Sequence, residues 1–236
     1  MALDASNPML ASFHDPEKVA HYTEGPVRFV PGFADLHRMA SVLLAERAPC
    51  DAHVLVLGAG GGLELKALAE LQPGWTFTGV DPAAAMLRLA EQTLGPLKTR
   101  VSLIEGLIDD APQGPFDAAV CLLTLHFLGR EERIRTIGEI HRRLKPGAPF
   151  VAAHFSFPQG EGDRALWLSR YAAFAVASGA PASDVDKMRA GIEDNLARFN
   201  CLYSPEEDAA MLVAGGFAEV TPFYAALTWR GWVAYA

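Results

Sequence analysis

The sequence predicts an α/β fold in which a mostly parallel sheet is covered by helices on both faces. Residues 53–57 are an apolar run without polar alternation, which is typical of a strand buried on both faces. Similar apolar runs alternate with helical patterns along the chain, and this order produces right-handed βαβ units. A glycine-rich turn at residues 58–62 joins the first strand to a helix. We expect a seven-stranded sheet whose last strand is antiparallel.

Composition narrows the classes of function. The 236 residues are 50% hydrophobic and 20% charged, which suits one domain with one core. A net charge of -8 argues against a broad nucleic-acid-binding surface, because neutralising phosphates needs clustered Lys and Arg. The cysteines lack C-x-x-C spacing, so neither a disulfide framework nor a zinc site is indicated. With no leader pattern and no apolar run of about 18 residues, we expect a cytoplasmic protein without a membrane segment.

We predict a single domain, 1–236, with four segments: an N-terminal arm and helix (1–50), a core (51–157), a helical insert (158–203) and a closing helix with a strand hairpin (204–236). Prolines interrupt residues 1–30, which should be irregular with at most one helical turn. Apolar residues then recur at spacings of three and four from Phe33, which predicts a helix to about residue 49. The core strands are predicted at 53–57, 75–81, 100–104, 116–121 and 149–155, and the core helices at 62–71, 83–94 and 130–144.

Sequence patterns also predict the structure of the insert and of the closing segment. The apolar side of the insert helix is expected to consist of Leu166, Trp167, Tyr171, Phe174 and Val176. Ser204 and Glu207 have the spacing of a capping box, which predicts a helix to residue 214. Residues 217–224 and 227–235 are predicted to form the closing hairpin.

The turn after the first strand has the character of a cofactor loop. Gly58, Gly60 and Gly62 allow a tight turn and close approach of a ligand to the N-terminus of the next helix. Asp81 ends the second strand about one βα unit later, where a carboxylate can bind ribose hydroxyls. The G-x-G-x-G spacing lacks the final spacing of the dinucleotide fingerprint, which disfavours a nicotinamide cofactor.

These residues, with the helix start from Pro82 to Met86, resemble class I S-adenosylmethionine-dependent methyltransferases, and the resemblance spans nearly the whole chain. The sequence is most similar to the carboxy-S-adenosylmethionine synthase branch, which acts on the pathway to modified wobble uridine in tRNA. The stretches that carry this second resemblance are residues 30–33, 44–47, 124–128, 144–147, 154–157 and 188–193. The resemblance implies a Rossmann-like fold, S-adenosylmethionine or S-adenosylhomocysteine as ligand, and no metal.

The resemblance also implies which residues contact the cofactor. With the loop and helix-start residues included, the expected contacts are Phe33, Gly58, Ala59, Gly60, Gly62, Asp81, Pro82, Met86, Leu107, Ile108 and Leu122. The synthases hold the added carboxylate with an arginine that falls on Arg189. They have Tyr, Asp and Asn where this chain has Phe33, Leu107 and Leu122, so three polar side-chain contacts are absent. Many methyltransferases also carry an acidic residue where this chain has Val56.

Other candidate site residues have two interpretations each. His126 follows the fourth strand, and His154 ends the fifth. Either could be a general base, because ligands of such sheets bind at these strand ends and an imidazole titrates near neutral pH. For each histidine taken singly, a structural role is the favoured interpretation. Trp167 and Tyr171 line an acceptor pocket or belong to the insert core. Arg189 binds a carboxylate or pairs with Glu193. Of the neighbouring Asp109 and Asp110, one replaces the missing acceptor for the adenine amino group, or both lie in an exposed loop.

The leading functional hypothesis is a methyltransferase that uses S-adenosylmethionine to modify a small molecule. Methyl transfer from a sulfonium is an in-line displacement, so positioning of donor and acceptor dominates catalysis. The alternatives are a carboxy-S-adenosylmethionine synthase-like enzyme, with carboxy-S-adenosylmethionine as the bound product, and a non-catalytic S-adenosylmethionine-binding protein. The apolar insert and the arm make a homodimer the expected assembly.

Overall fold

The computed structural model describes residues 11–15, 19, 22–183, 189–190 and 201–236. Its strands are β1 His53–Leu57, β2 Thr76–Asp81, β3 Val101–Glu105, β4 Ala118–Leu122, β5 Pro149–Phe155, β6 Ala218–Ala226 and β7 Trp229–Tyr235. Its α-helices are numbered α1 Ala11–His14, α2 Gly25–Phe29, α3 Phe33–Ala45, α4 Leu63–Leu71, α5 Ala84–Leu94, α6 Arg130–Arg142, α7 Asp163–Ala177 and α8 Pro205–Ala214. None of the helices in these ranges has the length and apolar character needed to span a membrane.

The described strands form one sheet in the order β3-β2-β1-β4-β5-β7-β6. β1 pairs in parallel with both β2 and β4, whereas β7 lies antiparallel between β5 and β6. The prediction of a mostly parallel seven-stranded sheet with an antiparallel closing strand is therefore confirmed. The strand order reverses between β1 and β4, which is where open α/β sheets bind their ligands.

Alternate residues of β1 contact two separate helical layers. Val54 and Val56 pack in the cluster that contains the buried faces of α3 and α4. Leu55 and Leu57 pack in the cluster that contains the buried faces of α6 and α8. Because successive side chains of a strand point to opposite faces, both faces of the sheet are covered, as the uninterrupted apolar run predicts.

The arm contains more helix than the sequence predicts. In addition to α1, a 3-10 helix spans Tyr22–Glu24 and leads directly into α2. Pro26 lies in the first turn of α2, where its missing N–H has no intrahelical partner to lose. The expectation of a single helical turn was wrong because the prolines were interpreted as breaks rather than as helix starts.

The arm is fastened to the closing hairpin by side-chain hydrogen bonds. The Trp229 indole donates to the Phe29 carbonyl at 3.0 Å, and the Tyr224 hydroxyl donates to the Pro31 carbonyl at 2.5 Å. The Trp229 ring also packs edge-on against Phe155 of β5. The far end of the sheet therefore fixes the path of the chain that precedes α3.

The insert helix α7 buries only part of the predicted face, since Tyr171 is buried but Trp167 and Phe174 are half-buried. Leu168, Tyr171 and Ala175 are its buried residues, at spacings of three and four, whereas Leu166 and Val176 are exposed. The Tyr171 ring stacks on Phe29 of α2 and meets Phe155 edge-on. α7 thus packs on the arm and on the end of β5.

A buried ion pair joins α6 to α8. The Arg133 guanidinium lies 2.5 Å from Asp208 Oδ1, and both side chains are fully buried. Arg133 also donates to the carbonyls of Leu128 and Cys201, at 3.0 and 2.6 Å. The Asp208 carboxylate lies 3.2 Å from His154 Nε2. This cluster connects the loop after β4, the end of the insert, α8 and β5.

We expect Arg133→Ala to lower the free energy of unfolding by about 3–5 kcal/mol, because it leaves the Asp208 carboxylate buried without its cation. Urea denaturation of both proteins measures this difference. The control is Arg38→Ala, which breaks an exposed pair with Asp35 on α3 and should change the stability by about 1 kcal/mol or less. Equal, small losses in the two variants would contradict the interpretation of the buried pair.

The free energy of unfolding should decrease as the pH is lowered below 6.5. Burial on α3 lowers the pKa of His37 from 6.5 to about 4, so the unfolded chain binds a proton in this range before the folded chain does. The contribution of His37 is present above pH 6.5 and is lost as the pH falls towards 4, by up to about 3 kcal/mol. Denaturation of His37→Gln across this range should show a shallower dependence on pH than the parent protein. Parallel pH profiles would refute the assignment.

Candidate functional site

A cleft opens at the carboxyl ends of β1, β2 and β4, on the side of the sheet where the strand order reverses. It encloses about 800 Å³ including its open mouth. The residues that line it are Phe13, His14, Tyr22, Leu57, Gly58, Gly60, Val80, Asp81, Pro82, Ala83, Met86, Gly106, Leu107, Ile108, Leu122, Leu123, Thr124, Phe127, Glu132, Arg135 and Thr136.

Close packing explains two of the glycines after β1. Gly58 has a φ of +78°, and a Cβ there would lie 2.0 Å from Thr124 Oγ1. Gly62 has a φ of +79°, and a Cβ there would lie 2.8 Å from the Ala90 Cα. Gly58 therefore lets the loop after β4 approach the turn, whereas Gly62 lets α4 pack against α5.

Asp81 ties two turns of the cleft together. Its Oδ2 accepts a hydrogen bond from the Gly60 amide, and its Oδ1 accepts one from the Ala83 amide, both at 2.9 Å. Burial raises the pKa of Asp81, against the opposing effects of these two amides and of His14. Each carboxylate oxygen keeps a further lone pair, so Asp81 can still accept hydrogen bonds from a ligand.

The turn after β3 offers an apolar surface and one backbone donor. The carboxylate of Asp110 accepts from the Leu107 amide at 2.8 Å. Asp109 instead pairs with Arg135 of α6 at 2.9 Å. Neither carboxylate is among the residues that line the cleft. The Ile108 amide begins a 3-10 helix and has no hydrogen-bond acceptor within the described residues, so it is available to a ligand.

Three residues of α6 complete the wall beside this turn: Glu132, Arg135 and Thr136. Arg135 Nη2 donates to Glu132 at 2.6 Å and its Nε donates to the same carboxylate at 3.0 Å. These bonds, with the one to Asp109, raise the pKa of Arg135. The charge of the guanidinium is therefore already balanced by two carboxylates.

The arm supplies the outer wall of the cleft. Phe13 packs edge-on against Tyr22 and Phe127, with ring centroids 5.9 and 5.8 Å apart. His14 also lines the cleft, and its Nε2 is buried without a hydrogen-bond partner among the described residues. The sequence signals neither residue, because a strap of short helices has no periodicity that predicts where it crosses the sheet.

Glu64 is a buried acid at the start of α4, directly after the glycine turn. The residue is only 7% exposed, and its Oε1 has no hydrogen-bond partner in the described part of the chain. Burial raises the pKa of Glu64 well above 4.5, with the Leu122 backbone opposing this effect. The sequence does not single out Glu64, since a Glu in the first turn of a helix is ordinarily exposed and stabilises the helix through its interaction with the helix dipole.

The two histidines considered as bases lie outside the lining of the cleft. His154 is 1% exposed and contacts Asp208 of the buried cluster. The His126 ring packs among Phe127 of the cleft wall, Phe155 and Trp229, and burial lowers the pKa of His126 well below 6.5. The positions of both residues favour the structural interpretation.

Of the predicted cofactor contacts, eight line the cleft: Gly58, Gly60, Asp81, Pro82, Met86, Leu107, Ile108 and Leu122. Ala59 and Gly62 are buried in the turn behind it. Phe33 begins α3 and packs against His37, with ring centroids 4.4 Å apart, so it does not reach the lining.

The three predicted substrate residues also lie elsewhere. Tyr171 lies on the buried face of α7, which agrees with the interpretation that it belongs to the core of the insert. Trp167 is half-buried beneath the guanidinium of Arg170, 4.6 Å from its ring centroid. Arg189 is exposed, and its suggested partner Glu193 lies outside the described residues.

Within the described residues, no group of three or more His, Cys, Asp or Glu side chains is arranged to hold a metal ion. The polar groups of the cleft are instead the Ile108 amide, the Asp81 carboxylate, the His14 imidazole and the paired Arg135 and Glu132. Such a set suits an uncharged or cationic nucleoside-like ligand.

Comparison with known proteins agrees with this geometry. Residues 55–150 match a family described as a methyltransferase domain. A carboxy-S-adenosyl-L-methionine synthase of Chromohalobacter salexigens is 29% identical over 233 residues, covering 96% of this chain and 84% of the relative. A synthase of the same description from Campylobacter curvus is 23% identical and covers 82% of this chain and 81% of its own length.

Solved structures share the fold at low sequence identity. An O-methyltransferase family protein from Burkholderia thailandensis superposes with a TM-score of 0.70 at 19% identity, over 98% of this chain and 63% of its own. Human N-acetylserotonin methyltransferase, in complex with S-adenosylmethionine, gives a TM-score of 0.67 at 14% identity, over 99% of this chain and 60% of its own. The chain thus spans about three fifths of the length of these two proteins. It shares the fold of S-adenosylmethionine-dependent methyltransferases over nearly its whole length, and its residues 55–150 are similar in sequence to a methyltransferase domain.

Proposed function

We propose that this protein binds S-adenosylmethionine in the cleft and transfers its methyl group to a small molecule. The observation that carries the proposal is the Asp81 carboxylate, which is anchored across the glycine turn at the switch point and keeps free lone pairs. A carboxylate at the end of the second strand is suited to ribose hydroxyls.

The remaining cleft residues suit the other parts of this cofactor. Leu107 and Ile108 offer an apolar surface for a purine ring, and the free Ile108 amide offers it a hydrogen bond. The Gly58 turn, which a side chain would fill, allows close approach to the amino-acid end. The described residues therefore suit an adenosyl ligand whose purine lies at the turn after β3 and whose amino-acid end lies near the loop after β4.

The bound cofactor supplies an electrophilic methyl group on a sulfonium. The contribution of the protein is to hold the acceptor in line with it and to keep water out. Phe13 and Phe127 form an aromatic wall suited to the second task. Where the molecule that receives the methyl group must lose a proton, Nε2 of His14, which lines the cleft without a hydrogen-bond partner among the described residues, can take that proton.

A carboxy-S-adenosylmethionine synthase-like activity is the second candidate, because the named relatives cover nearly the whole chain. The cleft does not favour it: Arg135 is engaged by Glu132 and Asp109, and Arg189 does not line the cleft. A carboxylated product would have to share the guanidinium of Arg135 with Glu132 and Asp109, since no other Lys or Arg is among the described residues that line the cleft.

Assembly and location are part of the proposal. Exposed apolar side chains on the arm (Val27) and on the insert (Leu166, Val176) support a homodimer formed through these segments. Light scattering that shows only monomer would contradict the homodimer.

A cytoplasmic location and the absence of nucleic-acid and membrane partners stay proposals that rest on the charge of -8 and the cysteine pattern.

Mass spectrometry of the small molecule released when the purified protein is denatured tests the leading function. We expect S-adenosylmethionine or S-adenosylhomocysteine. Carboxy-S-adenosylmethionine would instead establish the second candidate. If nothing is released, titration with each cofactor decides, and failure to bind any of them would refute the proposed function. Binding without turnover on any acceptor would support the non-catalytic alternative.

Asp81→Ala should weaken binding of S-adenosylmethionine by about 1–3 kcal/mol, because buried ribose hydroxyls lose a charged acceptor. Calorimetric titration measures the loss. Asp51→Ala is the matched control, since this exposed carboxylate lies before β1 at the opposite end of the strand and should leave the affinity unchanged. Unchanged affinity in Asp81→Ala would count against the site.

A further inference from the structure

The Glu64 carboxyl lies near the cleft and has no role in the proposed contacts. It follows the glycine turn on α4, and its Oε1 is buried without a hydrogen-bond partner in the described residues. A buried polar atom without a partner is destabilising, so such groups in native proteins ordinarily have a function that keeps them. The molecule therefore keeps an acid where packing alone would favour an apolar residue.

Glu64 is not itself among the residues that line the cleft, but it lies next to two that are. Its carboxyl interacts with the backbone of Leu122 and acts electrostatically on the Tyr22 hydroxyl, and both of these residues line the cleft. It also acts on the Cys121 thiol in β4. Glu64 therefore lies between the arm, the glycine turn and the end of β4.

This position corresponds to one end of the proposed ligand. Asp81 lies at the end of β2 and Ile108 follows β3, whereas Glu64 lies on the side of β1 and β4. A ligand with its ribose at Asp81 and its purine at Ile108 directs its remaining part towards β4. In an adenosyl amino acid, that part carries an α-ammonium group.

We propose that Glu64 is the acceptor for the α-ammonium group of the bound cofactor, and that binding of the cofactor releases the proton of the Glu64 carboxyl to solvent. The inference rests on the proposed function, since it names the residue that holds one end of the same ligand.

The groups that face Glu64 explain why its proton should leave only on binding. Tyr22 and Cys121 are neutral, because burial raises the pKa of each, and the Asp81 carboxylate acts on the same Tyr22 hydroxyl. No Lys, Arg or His ion pair with Glu64 occurs in the described part of the chain. A buried carboxyl without a cation is neutral, and an ammonium placed beside it favours the carboxylate. One O–H bond breaks, the proton goes to the buffer, and the ammonium keeps its charge.

The test is calorimetric titration of the full chain with S-adenosylhomocysteine at pH 7 in buffers of different ionisation enthalpy, which counts the protons exchanged. Methylthioadenosine is the matched ligand, because it keeps the adenosine but lacks the amino-acid end. We expect release of up to one proton with S-adenosylhomocysteine and none with methylthioadenosine. Equal proton counts for the two ligands would overturn the inference.

Glu64→Gln provides the second measurement, because it keeps the shape of the side chain and cannot ionise. We expect it to abolish proton release and to weaken S-adenosylhomocysteine about 10- to 100-fold, the range for a hydrogen bond between charged groups, while methylthioadenosine binds as before. Glu70→Gln, an exposed residue of the same helix, is the control and should change neither quantity.

The outcomes separate this inference from the proposed function. If the parent protein binds S-adenosylhomocysteine without releasing a proton, Glu64 is not the acceptor but the cofactor site stands. If Glu64→Gln loses affinity for both ligands alike, Glu64 is a packing residue and the inference fails. If the parent protein binds neither ligand, the proposed function itself fails. Should Glu64→Gln not fold, the two proton counts of the parent protein still decide.

Discussion

The cleft depends on one constraint: three connecting segments must meet where the strand order reverses between β1 and β4. Gly58 allows the loop after β4 to approach, because any Cβ there would collide with Thr124. The Asp81 carboxylate then holds the glycine turn and the start of α5 together through two backbone amides. The turn is thus preorganised by the same residue that is suited to bind a ligand, which lowers the entropy lost on binding.

The rest of the molecule holds these segments in place. The Arg133–Asp208 pair connects the loop after β4 to the closing helix, and its burial makes it sensitive to the loss of either partner. On the other side, the hairpin fixes the arm through hydrogen bonds to the carbonyls of Phe29 and Pro31. Because the arm is anchored at this far point, Phe13, His14 and Tyr22 can lie across the cleft without a regular element of their own.

The site combines a predictable half and an unpredictable one. Gly58, Gly60 and Asp81 are recognisable because their chemistry depends on local spacing, a turn after a buried strand and an acid one βα unit later. His14, Tyr22, Glu132 and Arg135 come from segments distant in sequence, and Glu64 has the appearance of an ordinary helix-start residue. Conversely, His126 and His154 follow strands as catalytic residues do, yet packing against Trp229 and Asp208 places them behind the cleft wall.

The sequence by itself determined the fold class, the strands, most helices and the cofactor turn, because periodicity and glycine spacing are set by backbone geometry within about 30 residues. Tertiary structure alone decided the face on which α7 is buried, the course of the arm and the identity of the remaining cleft residues. These depend on which distant side chains meet, and on whether a buried charge such as that of Arg133 finds its partner. Contacts of that kind have no periodic signature, since they are specified by packing between elements rather than within them.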